Sequence, residues 1–540
     1  MEKENSSTPT PELTSGSAAT RSELQDYLEV SEQQHTLFPR AMLVGVCAGA
    51  AAVLFRGLIA GADSLRNFLI QWAWHAPVWG WVVPVAFSAV GATLGVALVR
   101  QYAPETSGSG IPHLKAVLHR LRDLRSLRVL VVKMVGGVLA IGSGLALGRE
   151  GPTVQMGGAV GDGISRWLKV STRDRLTLTA AGAGAGLAAA FNAPLSGLVF
   201  VLEEMQRDFR PAVFAAAFLA AAAADVVARL ASGQLPIFKV PAYAVPPLTA
   251  LPAFLILGCL AGLLGVLFNR CLVGALNRMG RIRTRIGLWT AAIVGAGVGL
   301  FAWFLPFAVG GGHDLAEALL AGKITLIAIP IAFLVRFVLT IGSYGTGAPG
   351  GIFAPLLVLG ALLGLSMGHF VHFIAPNIVP QPGVFAVVGM AAYFTAIVRA
   401  PLTGVVLILE MTGNYDQMLP LLVSCFCAYA VAEYLKDVPI YEALLQRDLA
   451  RQGVALEHRE PIVVEMEVEP GALFVGREIR ELGLPAGCII VRCVTDGRES
   501  VPNATTRLTV HTRVTAVVPP EATAALSILR RGCEAREQLF

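Results

Sequence analysis

The chain has 540 residues, of which 55% are hydrophobic and only 15% are charged, and its mean hydropathy is +0.64. Average soluble domains carry about 25% charged residues, so the composition excludes an ordinary soluble protein. With 57 glycines, it predicts a bundle of membrane-spanning helices rich in small residues. The net charge of +5 is too small to indicate nucleic-acid binding. The eight cysteines form no C-x-x-C pair typical of zinc or redox sites.

Residues 1–39 are rich in Ser, Thr, Pro and Glu. We expect a polar cytoplasmic segment that is disordered until a short amphipathic stretch at Leu24–Leu37. The segment lacks the basic start and apolar core of a signal peptide.

From Ala41 to about Tyr434, apolar segments follow one another closely and predict membrane spans. The clear ones are Trp81–Val99, Val213–Ala228, Thr249–Phe268, Ile286–Ala308, Ile324–Ile341 and Gly383–Val398. Two loops, His119–Arg128 and Asn277–Arg285, each contain four arginines. The positive-inside tendency therefore assigns both loops to the cytoplasm.

Two other apolar segments are interrupted. Val129–Leu147 contains Lys133, and the run from Ala180 to Leu202 is cut by Asn192 and Pro194. Such interruptions predict helices that end inside the membrane, which is possible only where the backbone is buried or lines a cavity.

An internal repeat is visible in the sequence. Ala193–Glu203 reads APLSGLVFVLE and Ala400–Glu410 reads APLTGVVLILE, so seven of the eleven positions are identical. The repeat predicts two duplicated helical domains with a transport site where they meet. Glu203 has its counterpart in Glu410, which indicates a structural helix-end or interface group.

Three Gly/Pro motifs stand just before apolar helical stretches: Gly108–Pro112, Gly148–Pro152 and Gly350–Pro355. A helix that begins inside the membrane presents unpaired N–H groups and the positive end of its dipole. Several such ends that converge would form an anion site without a full positive charge. Helix breaks made for packing are the alternative, and three motifs together favour the anion site.

Glu150 lies in the second motif, between Arg149 and Gly151. An ionisable group at membrane depth is costly and is a functional candidate. Its carboxylate is itself an anion, so it could occupy the same helix-end site as the substrate until a proton releases it. A salt bridge to Arg149 is less expected, because adjacent helical residues point apart.

In these motifs the chain resembles the CLC family of chloride channels and proton-coupled transporters. The resemblance spans roughly Arg40 to Leu449 and rests on the three motifs in order and the two Ala-Pro-Leu repeats. It implies an all-α polytopic membrane fold of two inverted repeats with broken helices, about 40–230 and 250–441. It also implies a homodimer in the cell membrane with one pore per subunit, and cytoplasmic N- and C-termini.

The resemblance further implies roles for particular residues. Ser109 and Tyr441 would donate hydroxyls to the anion, backbone N–H groups of Ile352 and Phe353 would complete its site, and Glu150 matches the gating glutamate. Ser109, where other members have proline, is similar to the chloride-preferring members. The residues expected to support the site are Gly108, Gly110, Arg149, Gly151 and Lys133. Lys133 would add positive potential or pair with a carboxylate.

Glu204 distinguishes the two activities of this family. It aligns with the internal proton-transfer residue of the exchangers, where channels usually carry an apolar residue. The resemblance thus favours exchange of chloride for protons, and a passive voltage- or pH-gated chloride channel is the alternative. From the residues alone, Glu204 could also be a solvated cytoplasmic carboxylate.

The tail differs in character. Residues 442–460 are charged and predict a linker, and 461–540 predict a small cytoplasmic α/β domain. Strands are expected at Ile462–Val464, Cys488–Val491 and Val514–Val518, with a helix at Gly471–Leu482 and a turn at Asp496-Gly497. Gly476–Val518 resembles the C-terminal ligand-binding domain of potassium-channel regulators, which implies a possible small ligand. A plain dimerisation module remains open.

An intramembrane enzyme is the alternative from another class. We expect no enzyme, because the sequence contains no H-E-x-x-H that would support a metalloprotease. We expect no cofactor and no metal. The expected partners are chloride, protons, the lipid bilayer and a second copy of the chain.

Overall fold

The computed structural model describes residues 16–76, 78–234, 236–238, 240–241, 243–320, 325–451, 462–495, 497–519 and 524–534, with side chains from residue 36 onward. The chain divides into two compact units, Met1–Leu445 and Gln446–Phe540.

The first unit is helical. The α-helices that begin in it are α1 (Gly16–Ala73), α2 (Val82–Tyr102), α3 (Ile111–Leu118), α4 (Ser126–Gly142), α5 (Glu150–Trp167), α6 (Thr172–Phe191), α7 (Pro194–Phe200), α8 (Pro211–Ser232), α9 (Leu251–Ile286), α10 (Trp289–Phe304), α11 (His313–Leu320), α12 (Ala328–Gly345), α13 (Phe353–Ile374), α14 (Gly383–Val398), α15 (Pro401–Thr412), α16 (Met418–Tyr434) and α17 (Ile440–Arg451), which contains the division between the units. Short 3-10 turns occur at Pro104–Thr106, Leu248–Ala250, Pro306–Ala308 and Tyr415–Gln417, and a π-helical turn at Val201–Met205.

Seven helices among the described residues are long and apolar enough to cross a membrane. They are Thr36–Ala73 within α1, α2, α8, α9 with its preceding turn, α12, α13, and α16 with its preceding turn. The chain is therefore a multi-pass membrane protein, as its composition predicts. The amphipathic stretch expected at Leu24–Leu37 falls within α1, and residues 1–15 lie outside the described part.

The predicted helix break after α6 is confirmed, and it has a twin in the second repeat. Asn192 ends α6 with a left-handed φ of 50°, and α7 begins two residues later at Pro194. Arg399 ends α14 with a φ of 67°, and α15 begins at Pro401. A left-handed residue closes a helix, and proline suits the first turn of the next because it lacks the N–H that would be unpaired there.

The two repeats exchange carboxylate caps at these breaks. Glu203 Oε2 accepts from the amide nitrogen of Thr403 at 2.7 Å, and Glu410 Oε2 accepts from that of Ser196 at 2.7 Å. Each carboxylate also accepts from the preceding amide and from the Thr or Ser hydroxyl. A carboxylate at a helix N-terminus satisfies unpaired N–H groups and complements the dipole. The prediction that Glu203 is a helix-end group is therefore confirmed.

Small residues let helices pack backbone against backbone. A Cβ added to Gly157 in α5 would lie 2.1 Å from the carbonyl oxygen of Gly182 in α6, and one on Gly182 would lie 2.3 Å from that of Gly157. Any larger residue would separate the two helices. This packing explains part of the high glycine content, since lipid tails offer helices no hydrophobic reason to associate.

The second unit holds the strands β1 (Ile462–Glu467), β2 (Ile489–Thr495), β3 (Arg498–Ser500) and β4 (Arg513–Val518), followed by α18 (Ala524–Cys533). They form one antiparallel sheet in the order β1-β4-β2-β3. The three predicted strands are confirmed. Gly497, with a φ of +75°, occupies the predicted turn, whose Asp496 is outside the described residues.

The prediction of a helix at Gly471–Leu482 is wrong. Gly471 and Gly476 have φ values of +86° and +77°, which a right-handed helix does not allow. The segment forms turns and only a short 3-10 helix at Ile479–Glu481. Helix α17 also covers the first part of the expected linker, and residues 452–460 lie outside the described residues.

Candidate functional site

The three Gly/Pro motifs meet through their backbones in the middle of the membrane unit. Gly148 and Gly351 exchange two hydrogen bonds of 2.7 Å, from each amide to the other carbonyl oxygen. The Gly350 amide donates to the carbonyl oxygen of Gly108 at 3.0 Å, and the Gly108 amide donates to that of Ala348 at 3.2 Å. The starts of α3, α5 and α13 are thereby held together, as the convergence argument from the sequence requires.

Glycine is needed where these helix starts touch. A Cβ on Gly151 would lie 2.8 Å from the Cβ of Ser109, and a Cβ on Gly351 would lie 3.0 Å from the amide nitrogen of Gly151. Gly108 and Gly110 have φ values of 65° and 83°, which side chains rarely adopt. The glycines therefore bring three positive helix ends to one place.

Glu150 is buried at the start of α5. Its carboxyl group faces its own amide and that of Ala354 in α13, yet its Oε2 accepts no hydrogen bond of ordinary geometry from the described residues. Arg149 Nε lies 3.8 Å from Glu150 Oε1. The expectation that the two side chains point apart was wrong, because Arg149 precedes the helix and its side chain can turn back. A cavity that contains Asp63, Arg66, His313 and Asp314 among its lining residues reaches Glu150.

Ser109 and Tyr441 are both fully buried. Ser109 Oγ lies 3.4 Å from the amide nitrogen of Ile111, and the Ser109 amide donates to the hydroxyl of Tyr344 at 3.3 Å. The Tyr441 hydroxyl has no hydrogen-bond partner among the described residues. It lies within electrostatic range of Tyr344, Glu204 and Glu150. A buried hydroxyl without a partner is costly unless a ligand or water satisfies it.

Ile352 and Phe353 are buried at the N-terminus of α13. The ring of Phe353 packs against those of Phe191 and Phe394, with centroids 5.3 Å and 4.4 Å away. The first amides of a helix have no partner within it. The ring packing holds the start of α13 against α6 and α14.

Lys133 in α4 is buried below the first motif. Its Nζ donates to the carbonyl oxygens of Thr106 at 2.9 Å and Gly108 at 2.6 Å. These partners are backbone groups, so the alternative in which Lys133 pairs with a carboxylate is not what the structure shows. Through these two contacts Lys133 holds the first motif in place.

Glu204 is buried in the π-helical turn Val201–Met205, which excludes the solvated carboxylate considered from the sequence. Glu204 Oε1 accepts a 2.8 Å hydrogen bond from Lys115 Nζ, and the same nitrogen donates to Glu442 Oε2 at 3.1 Å. Glu150 and Glu204 are thus two buried carboxylates, each within electrostatic range of the Tyr441 hydroxyl.

Sequence reasoning missed three residues of this region: Tyr344, Lys115 and Glu442. Lys115 carried a usable signal, since it is a lone lysine in the apolar helix IPHLKAVL, the same kind of signal that drew attention to Lys133. Glu442 stood at the start of the expected linker, and nothing in the pattern singled out Tyr344.

A G-x-S-x-G pattern also occurs, at Gly364–Gly368. In hydrolases the serine of this pattern sits on a sharp turn between a strand and a helix. Here it lies within α13, and Ser366 Oγ donates to the carbonyl oxygen of Leu362 at 2.8 Å. The pattern therefore gives no support to an enzyme. The described residues also contain no group of three His, Cys, Asp or Glu side chains that could hold a metal ion.

Comparison with known proteins agrees with this geometry. The chain is 41% identical over 416 residues to the H(+)/Cl(-) exchange transporter ClcA of Vibrio parahaemolyticus, which covers 76% of this chain and 89% of that protein. It is also 41% identical over 424 residues to the transporter of the same name from Cronobacter sakazakii, with coverages of 77% and 91%. The relatives are transporters.

Solved structures show the same fold. A slow cyanobacterial Cl-/H+ antiporter superposes with a TM-score of 0.75 at 36% identity and covers 77% of this chain and 99% of that one. A eukaryotic CLC transporter gives 0.65 at 25% identity, with coverages of 82% and 78%. A CLC-type fluoride/proton antiporter gives 0.62 at 22% identity, covers 76% and 97%, and supports the fold alone.

Two family matches divide the sequence. Residues 463–528 match the TrkA-C domain, in agreement with the resemblance of the tail to potassium-channel regulators. Residues 91–433, well over half of the chain, match the family described as voltage gated chloride channel. With two repeats, three converging helix starts and these relatives, the chain belongs to the voltage gated chloride channel family, and it carries a TrkA-C domain at its C-terminal end.

Proposed function

We propose that this protein is a secondary active antiporter that exchanges chloride for protons across the membrane. The observation that carries the proposal is the pair of buried carboxylates, Glu150 and Glu204, both within electrostatic range of the unpartnered Tyr441 hydroxyl. Coupled exchange requires an anion site and proton-accepting groups that can act on it. The names of the bacterial relatives, H(+)/Cl(-) exchange transporters, give the same activity.

The anion is bound where the three helix starts meet. Amides of Ile352 and Phe353 and the hydroxyls of Ser109 and Tyr441 donate to it, and the helix dipoles attract its charge. Gly108, Gly110 and Gly151 allow the backbones to approach, and Lys133 anchors the first motif with its carbonyl contacts. This role for the site is supported by the Tyr441 hydroxyl, which has no hydrogen-bond partner among the described residues and could donate to an anion.

Glu150 is the external gate. Its ionised carboxylate faces its own amide and that of Ala354, next in sequence to the Ile352 and Phe353 amides assigned to the anion, so the two negative charges compete for the same helix starts. Arg149 stabilises the carboxylate from 3.8 Å. Protonation removes the charge, so the side chain leaves and the anion takes its place. The carboxylate oxygen without an ordinary hydrogen bond is suited to a group that must depart.

Glu204 is the internal proton-transfer residue. Its burial and its ion pair with Lys115 distinguish it from a solvated surface carboxylate. A passive channel has no use for a second buried carboxylate on the same pathway, which is the reason to prefer exchange.

The remaining assignments concern assembly. The protein is a homodimer in the cell membrane, with both termini in the cytoplasm, an N-terminal segment 1–39, a transport domain 40–441, a linker 442–460 and a regulatory-type domain 461–540. The division into units between Leu445 and Gln446 supports the separation of the transport domain from the tail. The tail domain binds a small ligand or serves as a dimerisation module, and cross-linking with and without candidate ligands distinguishes the two.

Reconstitution in liposomes tests the exchange. Chloride efflux and proton uptake are recorded together, and a chloride gradient should drive protons uphill. The voltage at which net flux stops should then deviate from the chloride equilibrium potential. A stopping voltage equal to that potential, with no proton movement, would identify a passive channel instead.

A further inference from the structure

Two charged side chains, Glu442 and Lys115, connect the surface of the membrane unit with Glu204. Lys115 Nζ lies 2.8 Å from Glu204 Oε1 and 3.1 Å from Glu442 Oε2, so one ammonium group bridges two carboxylates. We call Glu204, Lys115 and Glu442 the inner triad.

Exposure falls along the inner triad. The side chain of Glu442 is 35% exposed, whereas those of Lys115 and Glu204 are 3% and 2% exposed. Water reaches Glu442 directly, and Lys115 stands between that carboxylate and the buried one. A proton that arrives from the aqueous phase therefore meets Glu442 first.

Within the described part of the chain, three other charged or titratable groups face the inner triad. Arg207 faces both carboxylates, His119 faces Glu442, and the Tyr441 hydroxyl is within range of Glu204. Arg207 and His119 are exposed. Lys115 is the group that donates a hydrogen bond to each carboxylate.

We propose that Glu442 and Lys115 form the inner end of the proton pathway: Glu442 exchanges protons with water, and Lys115 passes them to Glu204. The inference rests on the exchange proposed above and names the groups that load its internal carboxylate.

The transfer balances without any additional reactant. Glu442 takes a proton from water. The Lys115 ammonium gives one proton to the Glu204 carboxylate and regains one from the Glu442 carboxyl group. Lysine ends as an ammonium, Glu442 as a carboxylate and Glu204 as a neutral acid. Lysine can release a proton when it is desolvated, whereas the guanidinium of arginine does not.

That difference between lysine and arginine allows an experiment to distinguish a proton relay through Lys115 from a static ion pair. Lys115→Arg keeps the positive charge between the carboxylates but cannot carry a proton onward. Lys115→Met removes both, and Glu442→Gln removes the group that collects protons. Lys169→Met, at an exposed lysine that follows α5, is the matched control, and Glu204→Gln is the reference for complete loss.

The experiment uses the full chain in liposomes, with chloride efflux and proton uptake recorded together over a series of internal pH values. We expect Lys115→Arg, Lys115→Met and Glu442→Gln to keep chloride flux within about twofold of the unmodified protein. Their proton flux should fall about tenfold or more, and Lys169→Met should change neither. The internal pH of half-maximal proton flux should move lower, since Glu204 must then be protonated without the relay.

Opposite results are equally clear. Full proton flux in Lys115→Arg would show that only the positive charge matters, and full flux in Glu442→Gln would show that protons arrive by another route. Either outcome overturns the relay. If Lys115→Met fails to assemble, the other two variants still decide. If Glu204→Gln itself keeps moving protons, the role proposed for Glu204 is what fails, and this is distinguishable from failure of the relay alone.

Discussion

Glu150 and Glu204 are both buried carboxylates, yet the protein holds them in different ways. Glu150 faces the amides of two helix starts, has Arg149 Nε 3.8 Å from its Oε1, and has one oxygen without an ordinary hydrogen bond among the described residues. Glu204 is tied to Lys115 at 2.8 Å. Dipolar amides can satisfy any small anion, whereas an ion pair is specific to its partner. The first arrangement suits a side chain that trades places with a substrate, and the second suits one that stays and exchanges only its proton.

Removing the outer carboxylate should have the largest effect. Glu150→Ala and Glu150→Gln cannot place a negative charge at the helix starts, so both should bind chloride without needing a proton. We expect proton movement to fall to background and chloride flux to become independent of pH. Paired chloride and proton fluxes at two pH values measure this.

Anion occupancy gives a second readout for these variants. Glu150→Ala vacates the site completely, so isothermal titration with chloride should give a higher occupancy for it than for Glu150→Gln. Proton coupling that survives in the alanine variant would place the gate elsewhere and remove the contrast drawn here.

Removing the inner carboxylate should separate the two ions. Glu204→Gln should abolish uphill proton movement and leave chloride flux within about twofold, because the anion site that we propose lies at the helix starts, which this substitution does not alter. Glu317→Gln, at a side chain that is about half exposed, is the control and should leave both fluxes unchanged. Undiminished proton pumping in Glu204→Gln would exclude Glu204 from the pathway.

The anion site itself should respond to Ser109. Ser109→Pro removes the hydroxyl and also the amide that donates to Tyr344. We expect the nitrate-to-chloride flux ratio to rise by about five- to tenfold, since a lost hydrogen bond to the ligand is worth about this much. Ser109→Ala keeps the amide and isolates the hydroxyl. An unchanged ratio in both variants would argue against direct contact with the anion.

The smallest effect should come from the tail. A chain that stops after residue 455 keeps every motif of the membrane unit, because that compact unit ends at Leu445. We expect it to assemble and to exchange both ions at rates within about twofold of the full chain. Size-exclusion chromatography and the paired flux assay check this. A truncated protein that neither assembles nor transports would make the tail an assembly element.

The sequence was most informative where local rules decide the structure. Apolar run lengths, the Asn192 and Pro194 break and the Gly/Pro motifs each follow from backbone chemistry within a few residues. The convergence of the motifs needed one further argument, that unpaired helix starts inside a membrane must face a buried or polar site. The two hydrogen bonds that Gly148 and Gly351 exchange show that two of the helix starts do meet.

Long-range pairing was out of reach from the sequence. Glu442 lies 327 positions from Lys115, so no local pattern joins them. The lone lysine in an apolar helix could mark Lys115 as a candidate, but it gives no indication of the partner. The Arg149 contact was misjudged because helix geometry was applied to a residue that precedes the helix. The prediction of a helix at Gly471–Leu482 was wrong because Gly471 and Gly476 mark turns, and both have positive φ values.

The exchanged caps of Glu203 and Glu410 have a consequence for how the chain is made. When the first repeat has entered the membrane, the amides of Leu195 and Ser196 still await a carboxylate that is synthesised more than two hundred residues later. The first repeat therefore cannot satisfy these two amides by itself. Water or another group must accept their hydrogen bonds until the second repeat is made and supplies Glu410. Duplication here supplied each half with the partner that its sequence alone could not provide.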